Sequence, residues 1–317
     1  MLFSSPAGND LLYDQKLIDQ GRNFTNKLWN AFRLVKGWET DAALPFAHAQ
    51  AGRWFEARLA ETSTQLDEHF DKFRMSDALL TVYKLIWDDF CSLYLEMVKP
   101  AYQQPIDAQT LSQTVGFLET LLKLLHPFMP FITEELWHEL APRAARDYVC
   151  VAAWPQLAPV ADAPAVLAGM ERTLAIVNGV RQVRNQKNLG PAKPLTLAVK
   201  TDDPAPIQAY TALLSKLANL SELTFTDAAP AGAVSFVAGG SEFFVPLEGA
   251  VDVVTERARL EKELTYTIGF RDSVAKKLAN EKFVQNAKPD VLERERQKLA
   301  DAEAKIAALR QALEGLG

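Results

Sequence analysis

Hydrophobic residues recur at spacings of three and four over most of the first 140 positions, which is the period of an amphipathic α-helix. The first stripe of such residues predicts one buried helical face, formed by Leu17, Gly21, Phe24, Leu28, Ala31 and Val35. Further stripes of this kind lie within 54–73, 79–97 and 110–125. Because the loops between these stretches are short, we expect neighbouring helices to run antiparallel. The pattern therefore predicts a helical bundle over residues 1–145.

The pattern changes after residue 145, where a stretch rich in alanine and proline indicates a strand-like crossing from Tyr148 to Ala153 and a linker. Helical periodicity returns over 165–185 and 205–220. Short apolar and β-branched segments predict strands at 195–200, 223–225, 234–237 and 243–245, with Gly239-Gly240 as the turn between the last two. These segments predict a small α/β domain over residues 146–250.

Residues 251–317 carry two long amphipathic segments, which predict a C-terminal antiparallel two-helix coiled coil. In the first segment the apolar seam is interrupted by Arg271 and contains Leu260, Leu264, Val274 and Leu278. In the second segment the seam contains Leu292, Leu299, Ala302, Ile306, Leu309 and Leu313. Pro289 suits the first turn of the second helix. The whole chain is thus predicted to be mainly α.

The segment 126–137 (HPFMPFITEELW) predicts a sharp turn between two helices. Pro127 and Pro130 lack an amide hydrogen, and each disfavours helical geometry in the residue before it. Thr133 is predicted to cap the second helix, with two glutamates in its first turn. The apolar side chains of this turn are predicted to be buried, namely Phe128, Met129 and Phe131.

Composition restricts the classes of function. At 317 residues, with 48% hydrophobic residues, the chain is large enough for two or three domains. It has no apolar run of about 18 residues and no leader-like start, so we expect neither a membrane span nor secretion, and a cytoplasmic location. Cys91 and Cys150 are too few for a four-cysteine zinc site, and the four histidines show no metal-ligand spacing. We therefore predict no metal site and no catalytic residue.

The net charge of −6 means that a nucleic-acid partner would need local basic clusters on an acidic chain. One such cluster is predicted opposite the buried face of the first helix, with Arg22, Asn26, Trp29, Arg33 and Lys36. The alternative is a solvated face with Trp29 beneath a neighbouring loop. A second cluster spans 271–298, where eight cations and five acids give 8 − 5 = +3. The alternative there is the ordinary charged exterior of a coiled coil.

The segment 126–137 resembles the turn in the anticodon-binding helical domain of class I aminoacyl-tRNA synthetases of the isoleucine, leucine and valine group. Two further regions resemble the valyl-tRNA synthetases within this group. One is Gly8-Asn9-Asp10 with 22–31 (RNFTNKLWNA), and the other is 280–289 (NEKFVQNAKP) with Val291 and 293–296 (ERER). Isoleucine enzymes commonly end in a cysteine-rich zinc module, and leucine enzymes end in a small globular domain without such a hairpin. Two cysteines cannot build such a zinc module, and the sequence predicts a hairpin, so the valine enzymes are the best match. The same region of an isoleucine or leucine enzyme is kept as the alternative.

The resemblance implies the tRNA-binding C-terminal region of an enzyme that joins valine to tRNA with ATP. Its first 145 residues would be the anticodon-binding domain, and residues 251–317 the tRNA-binding arm. The His-x-Gly-His and Lys-Met-Ser-Lys-Ser elements of the catalytic fold do not occur in the sequence. We therefore expect a fragment cut just after the catalytic core, with Met1 introduced at the cut and no enzymatic activity of its own. No cofactor is implied for it, because ATP and Mg²⁺ belong to the catalytic part.

The resemblance also implies two contacts with tRNA, expected to be tRNA(Val), and no DNA or membrane partner for a monomeric chain. For the anticodon stem-loop the candidates are Arg22, Asn26, Lys27, Trp29, Asn30 and Arg33. For the outer corner of the tRNA, its elbow, the candidates are Arg271, Lys276, Lys277, Lys282, Lys288, Arg294 and Arg296. The competing hypothesis is a protein-interaction module whose hairpin binds a helix of another protein. A stand-alone enzyme has almost no support in the residues.

Overall fold

A computed structural model describes residues 13–230, 232–246, 253–279 and 289–314. These residues are mainly helical, with one small mixed sheet of four strands, so the prediction of a mainly α chain is confirmed. The chain divides into two compact units, Met1–Ala229 with Ser235–Val245, and Pro230–Val234 with Pro246–Gly317. The domain boundaries at residues 145 and 250 remain predictions. Among the described residues, no helix is long and apolar enough to cross a membrane.

The first unit begins with a group of helices joined by short loops. Its helices are α1 (Gln15–Lys36), α2 (Ala49–Asp71), α3 (Met75–Lys84), a π-helical stretch (Leu85–Tyr94), α4 (Leu95–Val98), α5 (Ala108–Leu125) and α6 (Pro130–Leu140). Asp14 caps α1 by accepting the amide hydrogen of Lys16, and Asp107 caps α5 by accepting that of Thr110. The sequence therefore sets the start of both helices through a side-chain acceptor.

Aromatic rings form the centre of this helical group. Phe55 lies 4.9 Å from Phe117 and 5.1 Å from Tyr94 between ring centroids, and Phe90 packs against Phe55 and Tyr94. The buried hydroxyl of Tyr94 shares a 2.8 Å hydrogen bond with the hydroxyl of Thr114, so burying this ring leaves no polar atom without a partner. The interlocking rings hold α2, α5 and the π-helical stretch together.

The turn before α6 corrects two predictions. The helix begins at Pro130 rather than after Thr133, because proline suits the first helical position, where no amide hydrogen is needed. The buried Thr133 hydroxyl instead donates to the carbonyl of Met129 at 2.8 Å, and it also contacts His126 Nδ1 at 2.7 Å. Phe131, predicted to be buried, is 90% exposed, since the first turn of α6 points its side chain to solvent.

The predicted buried face of α1 is correct in its second half and wrong at its start. Phe24, Leu28, Ala31 and Val35 are buried, whereas Leu17 is only half-buried. Gly21 is exposed, because no atom lies within 4 Å of the position that a Cβ would take.

The rest of the first unit consists of a long helix, a sheet and two short helices. Its elements are α7 (Ala163–Gln186), β1 (Leu195–Lys200), α8 (Ala205–Gln208), α9 (Thr211–Ala218), β2 (Leu220–Phe225), β3 (Ala233–Ala238) and β4 (Ser241–Pro246). The strand predicted from Tyr148 to Ala153 is wrong: a short 3₁₀ turn, Val149–Val151, lies there. Met170 and Leu213 bury their side chains in the same core as the first helices.

The four strands lie in the order β2-β1-β4-β3, with β1 parallel to β2 and antiparallel to β4. The two-residue turn between β3 and β4 is the one predicted, and Gly239 and Gly240 both have positive φ angles, +56° and +82°. A two-residue hairpin turn of type I′ requires positive φ angles at both central positions, and glycine adopts such angles without steric cost. At Gly179 of α7, a Cβ would lie 2.2 Å from a ring carbon of Phe236, so this glycine allows the sheet to approach the helix.

Arg184 near the end of α7 is buried and holds three segments of the first unit together. Its guanidinium donates to the carbonyl oxygens of Gly190 and Lys193 at 3.0 and 2.6 Å. It also donates to the carbonyls of Ala218 and Asn219, each at 3.0 Å. The sequence shows this arginine only as one of three cations at a helix end. The structure assigns it to the interior.

The described residues of the second unit include two helices of 26 residues each, α10 (Val253–Leu278) and α11 (Pro289–Glu314). The second helix begins at Pro289, as predicted. The two helices contact each other, and the side chains buried between them include Thr267, Val274, Ala302 and Ile306.

Candidate nucleic-acid interface

The exposed side of α1 carries most of the residues predicted to contact an anticodon. Arg22, Asn26, Asn30 and Arg33 are exposed, and they lie away from the buried row of this helix. Arg22 forms an exposed ion pair with Asp19 at 3.1 Å. Such surface pairs contribute about 0–1 kcal/mol, so a phosphate could displace the aspartate at little cost. Among the residues that the structure describes, Arg33 has no ion pair. This surface therefore offers two cations and two amides to a ligand.

Lys27 lies on a different side of α1 from the other predicted residues. Its ammonium donates to the hydroxyl of Ser92 at 2.7 Å and lies 4.0 Å from the ring centroid of Trp87. That ring stacks on Tyr83, with the ring planes within 10° of each other. A cation in this position gains from the negative face of the indole. Lys27 is thus partly committed to the protein. The Trp87 ring beneath its ammonium also lines a groove between α1 and the Tyr83–Trp87 pair.

Trp29 is less exposed than the other residues predicted on this side of α1. The indole is half-buried and packs against the hydrophobic core, with its ring centroid 5.8 Å from that of Phe32. Only part of its surface is accessible to a base. Its assignment to an RNA contact remains a prediction.

A depression at the C-terminal end of α1 was not predicted from the sequence. It has a volume of about 700 Å³ and lies between α1 and the loop that follows α4. Tyr102 in this loop is 89% exposed, and Trp38 forms part of the opposite wall. The amides of Gln103 and Gln104 line the same depression. Aromatic surface with hydrogen-bonding amides beside it is the chemistry that receives an unstacked base.

The only sequence signal for this depression is the composition of its loop. Pro100 follows the end of α4, and a tyrosine and two glutamines come before Pro105. A loop that exposes a tyrosine after a helix stop is common, and the sequence does not show that α1 ends beside it. The tertiary structure brings the two segments together.

The cations of the second unit that were predicted to contact tRNA differ in their exposure and in whether an acid lies beside them. Lys276 and Arg294 are exposed. Arg271 lies 2.7 Å from Asp272, and Arg296 lies 4.0 Å from Glu293. Lys277 reaches the carboxylate of Glu295 on the other helix at 3.4 Å. The remaining two predicted residues, Lys282 and Lys288, lie outside the described residues.

Glu295 occupies a seam position of α11, where its side chain is only 8% exposed. Lys298 donates to its carboxylate at 2.9 Å, and this hydrogen bond, with that from Lys277, keeps the pKa of Glu295 below its ordinary value. Lys277 therefore serves to neutralise a buried acid, which leaves it less available to RNA than Lys276.

Metal and thiol chemistry have little basis in the described part of the chain. No group of three or more histidine, cysteine, aspartate or glutamate side chains among the described residues could hold a metal ion. Burial raises the pKa of the Cys91 thiol to about 12, which keeps it protonated and unreactive at neutral pH. Cys150 is exposed.

Two family models match the chain. The anticodon-binding domain of tRNA ligase matches residues 52–199, and the valyl tRNA synthetase tRNA binding arm matches residues 252–317. Valine–tRNA ligase of Parabacteroides distasonis is 46% identical over the whole chain, and that of Christiangramia forsetii is 43% identical over the same extent. The chain belongs to the valyl-tRNA synthetase family. A more distant member from Agrobacterium fabrum is 35% identical over 96% of the chain.

The chain spans about a third of the length of the valyl-tRNA synthetases that it matches: 36% of the first two relatives and 33% of the third. The match lies in the C-terminal part of these relatives, so the resemblance inferred from the sequence is confirmed. The arm model falls on α10 and α11, and the anticodon model runs from α2 to β1. Helix α1 lies outside both matched ranges, although the alignments with the valyl-tRNA synthetases include it.

Proposed function

We propose that the chain is the tRNA-binding C-terminal region of a valine–tRNA ligase and that it takes part in recognition alone. The observation that carries this proposal is the division of the two family matches: the anticodon-binding model lies within the first unit and the tRNA-binding-arm model within the second. Catalysis, with its ATP and Mg²⁺, would belong to the remainder of the longer protein. The chain itself should show no valine-dependent ATP–pyrophosphate exchange. Its compartment would be the cytoplasm, where translation takes place.

In this proposal the first unit binds the anticodon stem-loop of tRNA(Val). Arg22 and Arg33 would neutralise backbone phosphates, while Asn26 and Asn30 between them could form hydrogen bonds with sugars or bases. The depression beside Tyr102 would receive a base that leaves the anticodon stack. Lys27 and the exposed edge of Trp29 would contribute at the margins of this surface. Phosphate contacts would fix the position of the tRNA, and base contacts would supply the discrimination between anticodons.

The second unit would form an antiparallel coiled-coil arm that binds the elbow of the tRNA. Lys276 and Arg294 are the described cations that support this most directly, because they are exposed and outside the ion pairs at the seam. Arg271 and Arg296 have weak exposed partners that phosphate could replace. The sequence adds Lys282 and Lys288 between the two helices. Contacts of this kind do not depend on the anticodon, so the arm would raise affinity for all tRNAs of similar shape.

A binding experiment separates these two roles. Asn26→Ala with Asn30→Ala should lower the ratio of affinities for tRNA(Val) and for the same tRNA with a changed anticodon by about tenfold, since each lost base contact contributes about 1 kcal/mol or more. Lys276→Glu with Arg294→Glu should lower the affinity for both RNAs by the same factor. Arg181→Glu, an exposed position on α7, is the matched control. Equal behaviour of the two double variants would contradict the proposed division.

The competing hypothesis, a module that binds a helix of another protein, has one feature in its favour, the apolar seam of α11. Ala302 and Ile306 of this seam are already buried, together with Val274 of α10. The other predicted seam residues of α11 are half-buried, namely Leu292, Leu299, Leu309 and Leu313. The partial cover of the seam within its own hairpin leaves less surface for a second helix, which supports a monomer. Light scattering should therefore give the mass of one chain. A stable dimer that disappears when residues 251–317 are removed would favour the interaction module.

A further inference from the structure

One side of α10 carries two exposed aromatic rings between two cations. Tyr266 is 76% exposed and Phe270, one helical turn later, is 43% exposed. Lys262 comes one turn before them, and Lys276 follows about two turns after; both are exposed. At 100° per residue these four positions fall within an arc of roughly 120° and span about 21 Å of helix. We call this set the Tyr266 row.

Most of Tyr266 and part of Phe270 stay outside the packing between the two helices. Thr267 and Val274 of α10 are buried, and they define the side that faces α11. Tyr266 and Phe270 lie beside that seam rather than in it. A single exposed aromatic residue on a protein surface is ordinary, but two neighbouring rings on a helix rich in charge leave a continuous apolar strip in water. Such a strip indicates a ligand with flat apolar faces.

Small residues keep the row open. Gly269 and Ser273 lie between Tyr266 and Lys276, and among the described residues no atom outside the backbone of this helix lies within 4 Å of the position that a Cβ would take at Gly269. A flat group could therefore approach the rings along the helix without meeting a bulky side chain. Since tyrosine and phenylalanine have only two side-chain torsions each, fixing them against a ligand costs little conformational entropy.

The row itself carries two exposed cations, Lys262 and Lys276, and the acids of the same stretch are Glu261, Glu263 and Asp272. The exposed acids Glu261 and Asp272 lie roughly 90° or more around the helix from Tyr266, and Asp272 pairs with Arg271 at 2.7 Å. Lys262 and Lys276 lie closer to the rings in angle and are exposed. Rings between two cations provide both stacking surface and phosphate neutralisation, which is the combination used to hold unpaired nucleotides.

We propose that the Tyr266 row stacks on nucleobases that a folded RNA presents at its surface, while Lys262 and Lys276 contact the adjoining phosphates. This inference rests on the proposed function, in which α10 and α11 bind tRNA. It adds a contact of a different physical kind, because the cations alone would bind any polyanion. Stacking requires bases that are accessible at the site of contact, so the row would favour RNA with an exposed base over plain duplex.

Salt dependence distinguishes the two kinds of contact. A lysine that neutralises a phosphate releases a counterion, so its removal lowers the slope of log affinity against log salt by about one. A stacked ring releases no counterion. Tyr266→Ala should therefore weaken tRNA binding by about 5- to 50-fold at every salt concentration and leave the slope unchanged. Phe270→Ala should act in the same way with a smaller effect, since this ring is less exposed.

The experiment measures the affinity of the full chain for tRNA(Val) between about 50 and 200 mM salt. The variants are Tyr266→Ala, Tyr266→Trp, Phe270→Ala and Lys276→Ala. Phe73→Ala, an exposed aromatic position in the first unit, is the control and should bind as the parent does. Tyr266→Trp should retain binding because it preserves a stacking ring. Circular dichroism checks that each variant keeps its helix content, which is expected since the rings are exposed.

Each other outcome has a distinct meaning. Parent-like binding by Tyr266→Ala, together with weaker binding by Lys276→Ala, would overturn the stacking proposal and leave the proposed function intact. No salt-sensitive tRNA binding by the parent chain would overturn both. A parent dimer that Tyr266→Ala converts to a monomer would assign the ring to a contact between copies of the chain, and it would overturn the stacking proposal.

Discussion

Arg184 is a buried cation whose guanidinium donates to four backbone carbonyl oxygens, from Gly190, Lys193, Ala218 and Asn219. These carbonyls belong to the loop after α7 and to the end of α9. A guanidinium has five N–H donors in a fixed planar array and can serve all four carbonyls, whereas an ammonium has only three donors. At the scale of single residues, this side chain connects the helix to the sheet, because β1 and β2 begin next to its acceptors.

We predict that Arg184→Met lowers the free energy of unfolding by about 3 kcal/mol, because it leaves several buried carbonyls without donors. Arg184→Lys should recover only part of this loss. Arg181→Met, three residues earlier and exposed, should change it by less than about 0.5 kcal/mol. Urea unfolding followed by circular dichroism measures all three. A loss of the same size at both positions would mean that the carbonyl contacts do not matter.

Asp89 in the π-helical stretch makes stability depend on pH. Desolvation raises the pKa of its carboxyl group from 3.8 to about 6, although Arg58 acts against the shift. Since the folded-state pKa lies above the unfolded one, the folded state binds this proton more tightly. The corresponding stabilisation is present below about pH 4 and is lost as the pH rises through about 6.

Asp89→Asn should therefore stabilise the chain at pH 8, by about 1–2 kcal/mol after allowance for partial solvation, and have little effect at pH 4. The measurement is the free energy of unfolding at both pH values. Asp88→Asn removes a neighbouring charge that adds to the shift but leaves the larger effect of desolvation, so most of the pH dependence should remain. If Asp89→Asn gave the same benefit at both pH values, titration of this carboxylate would be ruled out as the cause.

At the scale of elements, the helix starts differ in how much their caps are protected from water. Asp107 is buried and accepts both the amide hydrogen and the hydroxyl of Thr110, at 2.8 and 2.7 Å. Asp14 forms a similar cap on α1 but is exposed. Because water can replace the acceptor only at the exposed site, the two caps should contribute unequally.

Asp107→Ala should lower the free energy of unfolding by about 2 kcal/mol, and Asp14→Ala by about 0.5 kcal/mol, the upper and lower parts of the range for such caps. Chemical denaturation of both variants gives the comparison. Thr110→Val with Asp107→Ala should cost less than the two single changes together, because the residues share one contact. Equal losses at the two caps would contradict the role of burial.

At the scale of the whole molecule, the core of the first unit is built from side chains between Phe24 and Leu213. The matched tRNA-binding arm lies in the other unit. A chain ending at Pro246 should therefore keep its folded first unit. If the roles are divided as proposed, this shortened chain should lose affinity for every tRNA and retain its preference for the valine anticodon.

The test compares the affinities of the shortened and full chains for tRNA(Val) and for an anticodon variant. We expect a loss of at least about tenfold for both RNAs at moderate salt, with their ratio nearly unchanged. The two cysteines report on folding: Cys150 should react rapidly with a thiol reagent and Cys91 slowly, as expected for a protonated half-buried thiol. The proposal would be contradicted if the shortened chain bound tRNA(Val) no more tightly than the anticodon variant.

The sequence alone determined the main course of the chain. Strand β1, the Gly239-Gly240 turn and the start of α11 at Pro289 lie where periodicity and turn chemistry placed them, because these features depend on neighbouring residues. The family also followed from the sequence, through segments long enough to be specific. The assignment of individual side chains to RNA followed only as a prediction, since pattern gives the side of a helix but not its neighbours.

The tertiary structure decided which polar groups turn inward and which apolar groups stay outside. Arg184 is buried and Phe131 is exposed, contrary to what each residue type suggests. Lys27 is drawn to Trp87, and the depression beside Tyr102 exists only because a distant loop meets the end of α1. These outcomes depend on contacts between segments far apart in sequence. Local pattern carries no information about such contacts, so it could predict the helices but not the surfaces that they form together.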